Sequence, residues 1–88
     1  MSTYPLIISS PDGDLYRGDV RQIILRGSEG DLAVLAGHIP FVTSVQKGRC
    51  VVEDAEGVRR EGEIAEGLLT VDKERVTVLT SSLEWDKE

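Results

Sequence analysis

Hydrophobic and polar residues alternate with a period of two along most of the chain. In the run 76–79, for example, two valines alternate with Thr77 and Leu79. This alternation is typical of β-strands that bury one face. Turn signals rich in glycine, proline and aspartate separate the runs at short intervals, which favours an antiparallel sandwich or barrel. These signals lie at residues 11–13, 28–30, 37–40, 47–48, 56–57 and 72–74.

The pattern predicts an all-β domain of roughly eight to ten strands. The run from Leu32 to Leu35 is apolar in both phases, so we expect that strand to be covered on both of its faces. No segment keeps a helical stripe of apolar residues. Residues 82–88 predict either the start of a helical turn or a frayed end, since the ending is rich in charge. We therefore expect one domain over residues 1–83 and a charged tail over residues 84–88.

Composition narrows the classes of partner. The chain has 88 residues, a net charge of -6, 40% hydrophobic residues and only 5% aromatic residues. The core must therefore come from Val, Ile and Leu, which suit strands. No basic block is present, so nucleic acid and anionic membrane surfaces are poor partners. An acidic module that docks on a basic or polar protein surface fits this charge better.

The single cysteine favours a reducing, intracellular setting. Cys50 has no second cysteine to pair with, and we expect it to be a small buried strand residue. No stretch approaches the ~20 apolar residues of a membrane span, and residues 1–5 lack the features of a signal peptide. We therefore expect no direct insertion into a membrane.

Searches for catalytic and cofactor motifs return weak candidates. The glycines fit neither a P-loop nor a dinucleotide fingerprint. A zinc site needs more nitrogen and sulfur ligands than His38 and Cys50 supply. A hydrolase could use His38 with Ser28 or Ser44 and Asp31, but no nucleophile elbow supports it. We expect no catalytic residue, metal, cofactor or small-molecule substrate.

Binding to another protein is the better-supported class. Glu29, Asp31 and His38 lie together in expected loops. The apolar residues are numerous for a thin sandwich, so some strand residues either face outward as an apolar patch or simply fill the core. The candidates for this patch are Val42, Leu68 and Val78. The rival in the binding class is a sandwich module for a carbohydrate or other small ligand, but its aromatic residues are scattered along the sequence at Tyr4, Tyr16, Phe41 and Trp85.

Four blocks of sequence resemble one known family in order and spacing. The segment 27–40 (GSEGDLAVLAGHIP) resembles the signature loop of the epsilon subunits of F-type ATP synthases. Residues 6–20, 65–71 and 75–79 resemble the family's opening strands, a later strand and its last long strand. The chain departs from the residues usual in the family at Ala33, Ala36 and Glu66.

The resemblance implies a fold and a role. The fold would be a flattened antiparallel β-sandwich of two five-stranded sheets, without the C-terminal helical hairpin that brakes ATP hydrolysis in the family. The role would be that of a non-catalytic subunit of the central stalk, which couples ion translocation to rotary ATP synthesis. Such a subunit is peripheral at the cytoplasmic face of the plasma membrane, held there by the complex.

The resemblance also implies two partners and two sets of contact residues. The partners are the gamma subunit and the membrane ring of c subunits. The residues placed at the gamma interface are Ser10, His38, Val42, Thr43, Leu68 and Val78. The residues placed at the c-ring are Glu29, Gly30 and Asp31.

Overall fold

The computed structural model describes residues 2–37 and 39–86, and it folds them into nine strands. The all-β class predicted from the alternation is confirmed, and no helix occurs within the described residues. The strands are β1 (Tyr4–Ser10), β2 (Gly13–Gly27), β3 (Gly30–Leu35), β4 (Phe41–Val45), β5 (Gly48–Asp54), β6 (Arg59–Ile64), β7 (Gly67–Val71), β8 (Val76–Thr80) and β9 (Leu83–Trp85).

The strands pack as two layers, and the long strand β2 belongs to both of them. Its first part, from Gly13 to Val20, pairs antiparallel with β1. Its second part, from Gln22 to Gly27, pairs antiparallel with β3 on the same edge, while β5 occupies the opposite edge. The register with β5 shifts between Val20 and Gln22, which marks a β-bulge, and bulges bend strands. One strand thus passes from the first layer into the second.

The sheet arrangement differs from the expected pair of separate sheets. The strands form a single hydrogen-bonded sheet in the order β4-β7-β8-β1-β2-β5-β6-β9, with β3 attached to β2. Counting β2 in both layers gives five strands in each: β4, β7, β8, β1 and β2 in one, and β3, β2, β5, β6 and β9 in the other. The two sheets are continuous because β2 bends instead of ending at the layer boundary.

One hydrophobic core lies between the layers and draws residues from both. Burial of each aliphatic side chain of this kind contributes about 1.5–3 kcal/mol. Valine, isoleucine and leucine dominate, as the composition predicted, and Cys50 packs among them. The core residues are Tyr4, Leu6, Ile8, Val20, Ile23, Leu25, Val34, Val45, Cys50, Val52, Ile64, Leu69, Val71, Val76 and Val78.

The bulge in β2 explains why burial does not follow strict alternation there. Val20 and Ile23 are both fully buried although an odd number of positions separates them. In a regular strand, residues three apart point to opposite faces. The extra residue at Arg21 restores the phase, so both side chains reach the core.

Tyr4 ties the first layer to the second. Its buried hydroxyl donates a hydrogen bond of 2.6 Å to the backbone carbonyl of Val34 in β3. Burial raises the pKa of the Tyr4 phenol far above its usual value, so the hydroxyl keeps its proton. The contact therefore fixes the start of β1 against β3 at any ordinary pH.

The expectation that both faces of β3 are covered is wrong. Val34 is buried, but Ala33 is exposed and Leu35 is 56% exposed. Within the described residues, β3 pairs with β2 alone, so it is an edge strand with one face on the core. Apolar residues in both phases reflect an exposed apolar edge here, and not a doubly buried strand.

Residues 83–85 form a strand, where a helical turn or a frayed end was expected. β9 pairs antiparallel with β6 from Gly62 to Ile64. The guanidinium carbon of Arg60 lies 4.2 Å from the centroid of the Trp85 ring, a cation–π contact. Tyr16 meets the same ring edge-on at 5.9 Å between centroids. These contacts hold the edge strand β9 in place.

Charged side chains add to this attachment. The Arg49 guanidinium lies 3.4 Å from a carboxylate oxygen of Glu61 and 3.5 Å from one of Glu63, and it also binds Asp86. The network joins β5 and β6 to the residue that follows β9. Because all four groups are substantially exposed, each pair contributes modestly to stability.

Replacing Gly67 by alanine should destabilise the fold strongly. An added Cβ would overlap the Leu79 carbonyl oxygen and crowd the Thr80 backbone, and neither can rotate away. We expect the free energy of unfolding to fall by about 2–3 kcal/mol in urea denaturation. Gly48→Ala is the control, since its Cβ would lie 3.4 Å from the Arg26 Cβ, an ordinary contact. Equal losses in the two variants would contradict the close approach of β7 and β8.

The Arg49–Asp86 pair should make stability depend on acid pH. The hydrogen bond from Arg49 holds the pKa of Asp86 below its ordinary value of 3.8. A carboxyl whose folded-state pKa is lowered stabilises the fold fully above the unfolded-state value, and this contribution is lost as the pH falls through the folded-state value. Asp86→Asn should therefore be less stable than the parent at pH 7, and the difference should vanish in acid below both pKa values.

A double-mutant cycle isolates this pair. In an Arg49→Gln background the effect of Asp86→Asn on stability at pH 7 should shrink, because its main partner is gone. An unchanged effect in that background would mean that Asp86 acts through other groups.

Candidate interaction surfaces

The outward side of the first layer is a flat surface built by strand register. Cross-strand partners on neighbouring strands share a face, so the pairings of β4, β7, β8 and β1 place side chains in two rows. The first row runs through Val42, Thr70, Thr77 and Ile7. The second row runs through Ser44, Leu68, Leu79 and Ser9. We call these eight residues the outer face.

The outer face is uncharged, with aliphatic and hydroxyl-bearing side chains, in a strongly acidic chain. Val42 is 62% exposed, Leu79 48% and Leu68 41%, and the other members are serine, threonine and isoleucine. Charged residues appear only at its border, where Arg17 and Asp14 form an exposed ion pair of 3.0 Å beside the β1 ends of the rows. Exposed apolar surface bordered by polar groups is typical of a protein-binding site.

Val78 does not belong to this surface, and the expectation that it faces outward is wrong. Its side chain has no exposed area and lies in the core, whereas Leu79 beside it faces outward. The cause is the alternation of β8, in which Val76, Val78 and Thr80 point inward. The alternation of residues 76–79 already placed Leu79 and Val78 on opposite faces, and for Val78 the alternative that it fills the core is the correct one.

The other residues expected at the gamma interface occupy different positions. Ser10 lies at the β1–β2 turn, where its hydroxyl donates to the Gly13 carbonyl and accepts from the Asp12 amide. Thr43 is half-buried and, by the alternation of β4, points away from the side of Val42. His38 lies outside the described residues.

The expected c-ring residues form the tip of the β2–β3 hairpin. Ser28 and Glu29 make the turn between Gly27 and Gly30, which pair with each other. Gly30 has a φ of +126°, which residues with a side chain rarely adopt. Asp31 follows directly, with its carboxylate 3.9 Å from the Arg26 Nε and both side chains largely exposed. The tip therefore presents carboxylates to solvent on a tight turn.

A groove beside the hairpin tip joins the two sets of expected contact residues. It encloses about 430 Å³ and is lined on one side by residues 27–32 and on the other by residues 41–43. Glu29, Gly30 and Asp31 thus lie across from Val42 and Thr43. We call this feature the edge groove, because it runs between an end of the edge strand β3 and the edge strand β4.

The described residues offer little for catalysis or metal binding. Among residues 2–37 and 39–86, no group of three or more His, Cys, Asp and Glu side chains could hold a metal ion. Burial raises the pKa of the Cys50 thiol to about 12, so it remains protonated at neutral pH. Nor does this part of the chain contain a helix that is long and apolar enough to cross a membrane.

Sequence comparison relates the chain to one family. A family model described as the β-sandwich domain of the ATP synthase delta/epsilon chain matches residues 3–86. The sodium-ion-specific ATP synthase epsilon chain of Acetobacterium woodii is 33% identical over 86 residues, covering 98% of this chain and 65% of that protein. The ATP synthase epsilon chain of Caldicellulosiruptor saccharolyticus is 31% identical over 88 residues, covering 100% of this chain and 64% of that protein. The chain thus spans slightly less than two thirds of these curated relatives.

Solved structures give the same relationship in three dimensions. A chain in the Euglena gracilis mitochondrial ATP synthase OSCP/F1/c-ring structure superposes with a TM-score of 0.88 and 25% identity, over 97% of this chain and 54% of that one. A chain in the central stalk/c-ring structure of the Tetrahymena thermophila mitochondrial ATP synthase superposes with a TM-score of 0.76. At 10% identity, over 94% of this chain and 66% of that one, this second likeness concerns the fold alone.

Threonine substitutions at two adjacent positions should separate the outer face from the core. Val78→Thr places a hydroxyl in the core and should cost about 1–3 kcal/mol of unfolding free energy. Leu79→Thr changes an outward side chain on the same strand and should cost about 0.5 kcal/mol or less. Chemical denaturation of both variants measures the difference. A larger loss for Leu79→Thr would mean that the assignment of the two faces is reversed.

Proposed function

The chain belongs to the delta/epsilon chain family of ATP synthases, as its β-sandwich domain, and on that premise we propose that it is a non-catalytic rotor component of an F-type ATP synthase. The sandwich links the gamma subunit of the central stalk to the ring of c subunits. It thereby couples ion translocation to rotary ATP synthesis, whose chemistry takes place on other chains.

The uncharged outer face is the observation that carries this proposal. Val42, Leu68 and Leu79 expose apolar area that a partner chain would remove from water. The surface is held by hydrogen-bonded neighbouring strands, so it changes little in shape when a partner docks. We assign the outer face to the gamma subunit, together with Ser10 at the β1–β2 turn, Thr43 at the edge groove and the predicted contact His38.

The hairpin tip supplies the second contact. Glu29, Gly30 and Asp31 lie on a turn whose shape depends on the positive φ of Gly30. We assign this tip to the polar loops of the c-ring. Exposed carboxylates there favour hydrogen bonding and charge complementarity, which set orientation and specificity more than affinity.

The sandwich suits the mechanical part of this role. A body transmits torque without loss only if its two contact surfaces keep a fixed distance and orientation to each other. The outer face and the hairpin tip are joined through β2, whose first part lies in the layer of the outer face and whose second part forms the hairpin. The protein is accordingly peripheral at the membrane, on its cytoplasmic side, through its complex.

The rival role as a carbohydrate-binding module has less support. Such sites stack sugars on exposed aromatic rings. Tyr4 is buried in the core, and Arg60 already covers a face of Trp85, whose ring edge also meets Tyr16. Tyr4, Tyr16 and Trp85 therefore serve packing within the fold.

Charge substitutions should separate the two contacts. Leu79→Lys puts a charge in the outer face and should weaken capture of gamma about tenfold or more, because that charge would lose its water on binding. Asp31→Lys should weaken association with the c-ring while gamma capture and the fold persist. Pull-down with tagged chain from membranes depleted of the native subunit measures both.

Glu84→Lys, which reverses a charge on β9 as Asp31→Lys does at the hairpin tip, is the control and should retain both partners. The proposal fails if the unsubstituted chain recovers neither gamma nor c subunits. It also fails if Leu79→Lys and Asp31→Lys behave like the control.

A further inference from the structure

We propose that the edge groove binds an extended segment of a partner chain, which adds to β4 as a further strand. The segment carries an apolar side chain that packs on Leu32 and Phe41, and a basic side chain that lies beside Glu29 and Asp31. This inference concerns how a partner is held, and it does not depend on which chain supplies the segment.

The backbone beside the groove is available for strand addition. Within the described residues, β4 forms a strand ladder with β7 on one edge and with no strand on the other. The Gln46 amide just after β4 donates to the Arg26 carbonyl of β2, so the available part of β4 is the part near the groove. β3 likewise pairs on one edge only, with β2. Unpaired strand edges are the usual sites at which extended peptides add to sheets, because main-chain hydrogen bonds supply affinity there. The position of the groove between the ends of two edge strands therefore favours an extended occupant.

The apolar lining of the groove is ready to receive a side chain. Leu32 and Phe41 are half-buried and rest against the hydrophobic core, so their positions are fixed from below. Val42, a member of the outer face, is 62% exposed at the rim of the groove. A side chain inserted here would complete the burial of these groups, as alternate pockets do in strand addition.

Charge at the groove specifies a basic occupant. Glu29 and Asp31 both line it, and the nearest cation is Arg26, whose Nε lies 3.9 Å from the Asp31 carboxylate. Both side chains of that pair are more than half exposed, so the contact is weak and can be replaced. The whole chain carries a net charge of -6, which also repels acidic segments.

The test is a titration of the full chain with synthetic peptides, followed by amide chemical shifts and hydrogen exchange. The probe is a short peptide in which valine alternates with lysine and threonine. One control peptide has glutamate in place of lysine. A second control has prolines at alternate positions, which removes backbone donors but keeps the charge.

We expect the basic peptide to shift the amides of residues 27–32 and 41–43 and to slow hydrogen exchange along β4. Neither control peptide should bind comparably. Asp31→Lys should weaken binding of the basic peptide about fivefold, and added salt should weaken it further. Glu84→Lys, the same charge change on β9 at the opposite end of the sheet from β4, should leave the affinity unchanged.

Three results would overturn the inference: shifts outside the groove only, equal binding of the acidic peptide, or equal binding of the proline peptide. Absence of any peptide binding would do the same. These outcomes are distinct from failure of the rotor role. A chain that binds the basic peptide but captures no gamma or c subunits contradicts the rotor role alone, whereas a chain that captures both but binds no peptide contradicts the groove alone.

Discussion

The bend of one continuous strand between two layers is the constraint on which the rest of the molecule depends. β2 pairs with β1 in the first layer and with β3 and β5 in the second, so the layers share covalent backbone as well as a core. The bulge at Arg21 keeps Val20 and Ile23 both in the interior although the strand turns between them. The hydrogen bond from Tyr4, at the start of β1, to Val34 in β3 also joins the two layers.

The two layers have different outer surfaces: the surface of the first layer is uncharged, and that of the second layer is charged. Outward side chains of the first layer are aliphatic or hydroxyl-bearing, whereas the second layer presents Arg49 among carboxylates of neighbouring strands. The charged side remains well solvated without a partner, since ions hold their water strongly. The uncharged side gains free energy when it is covered. In the proposed rotor role, association is therefore directed to one side of a thin sandwich, with the hairpin tip at its border.

Much of the fold could be predicted from the sequence, because a strand that buries one face shows alternating apolar and polar residues. The number of strands, the all-β class and the aliphatic core followed from that pattern. The bulge in β2 was not predicted, since it is defined by the partner strand and its trace in the sequence is only a pair of consecutive polar residues, Arg21 and Gln22. β9 was missed because three residues beside a charged ending are too short to show a period. Its contact with Arg60, and that of the next residue Asp86 with Arg49, are non-local.

The candidate surfaces show the same division between local and non-local information. Leu79 was readable from the alternation of β8, while its row with Leu68 and Ser44 depends on register between strands. The edge groove brings residues 27–32 beside residues 41–43, and only the folded backbone reveals this.

The burial of Cys50 has a practical consequence for the study of motion. The chain contains one cysteine, and its thiol is enclosed in the interior and protonated at neutral pH. A cysteine introduced at an exposed position would therefore be the sole thiolate source open to maleimide dyes. Fluorophores or cross-linkers could be attached at a chosen position on the native background, and rotation of the molecule could be followed optically without first removing a competing sulfur.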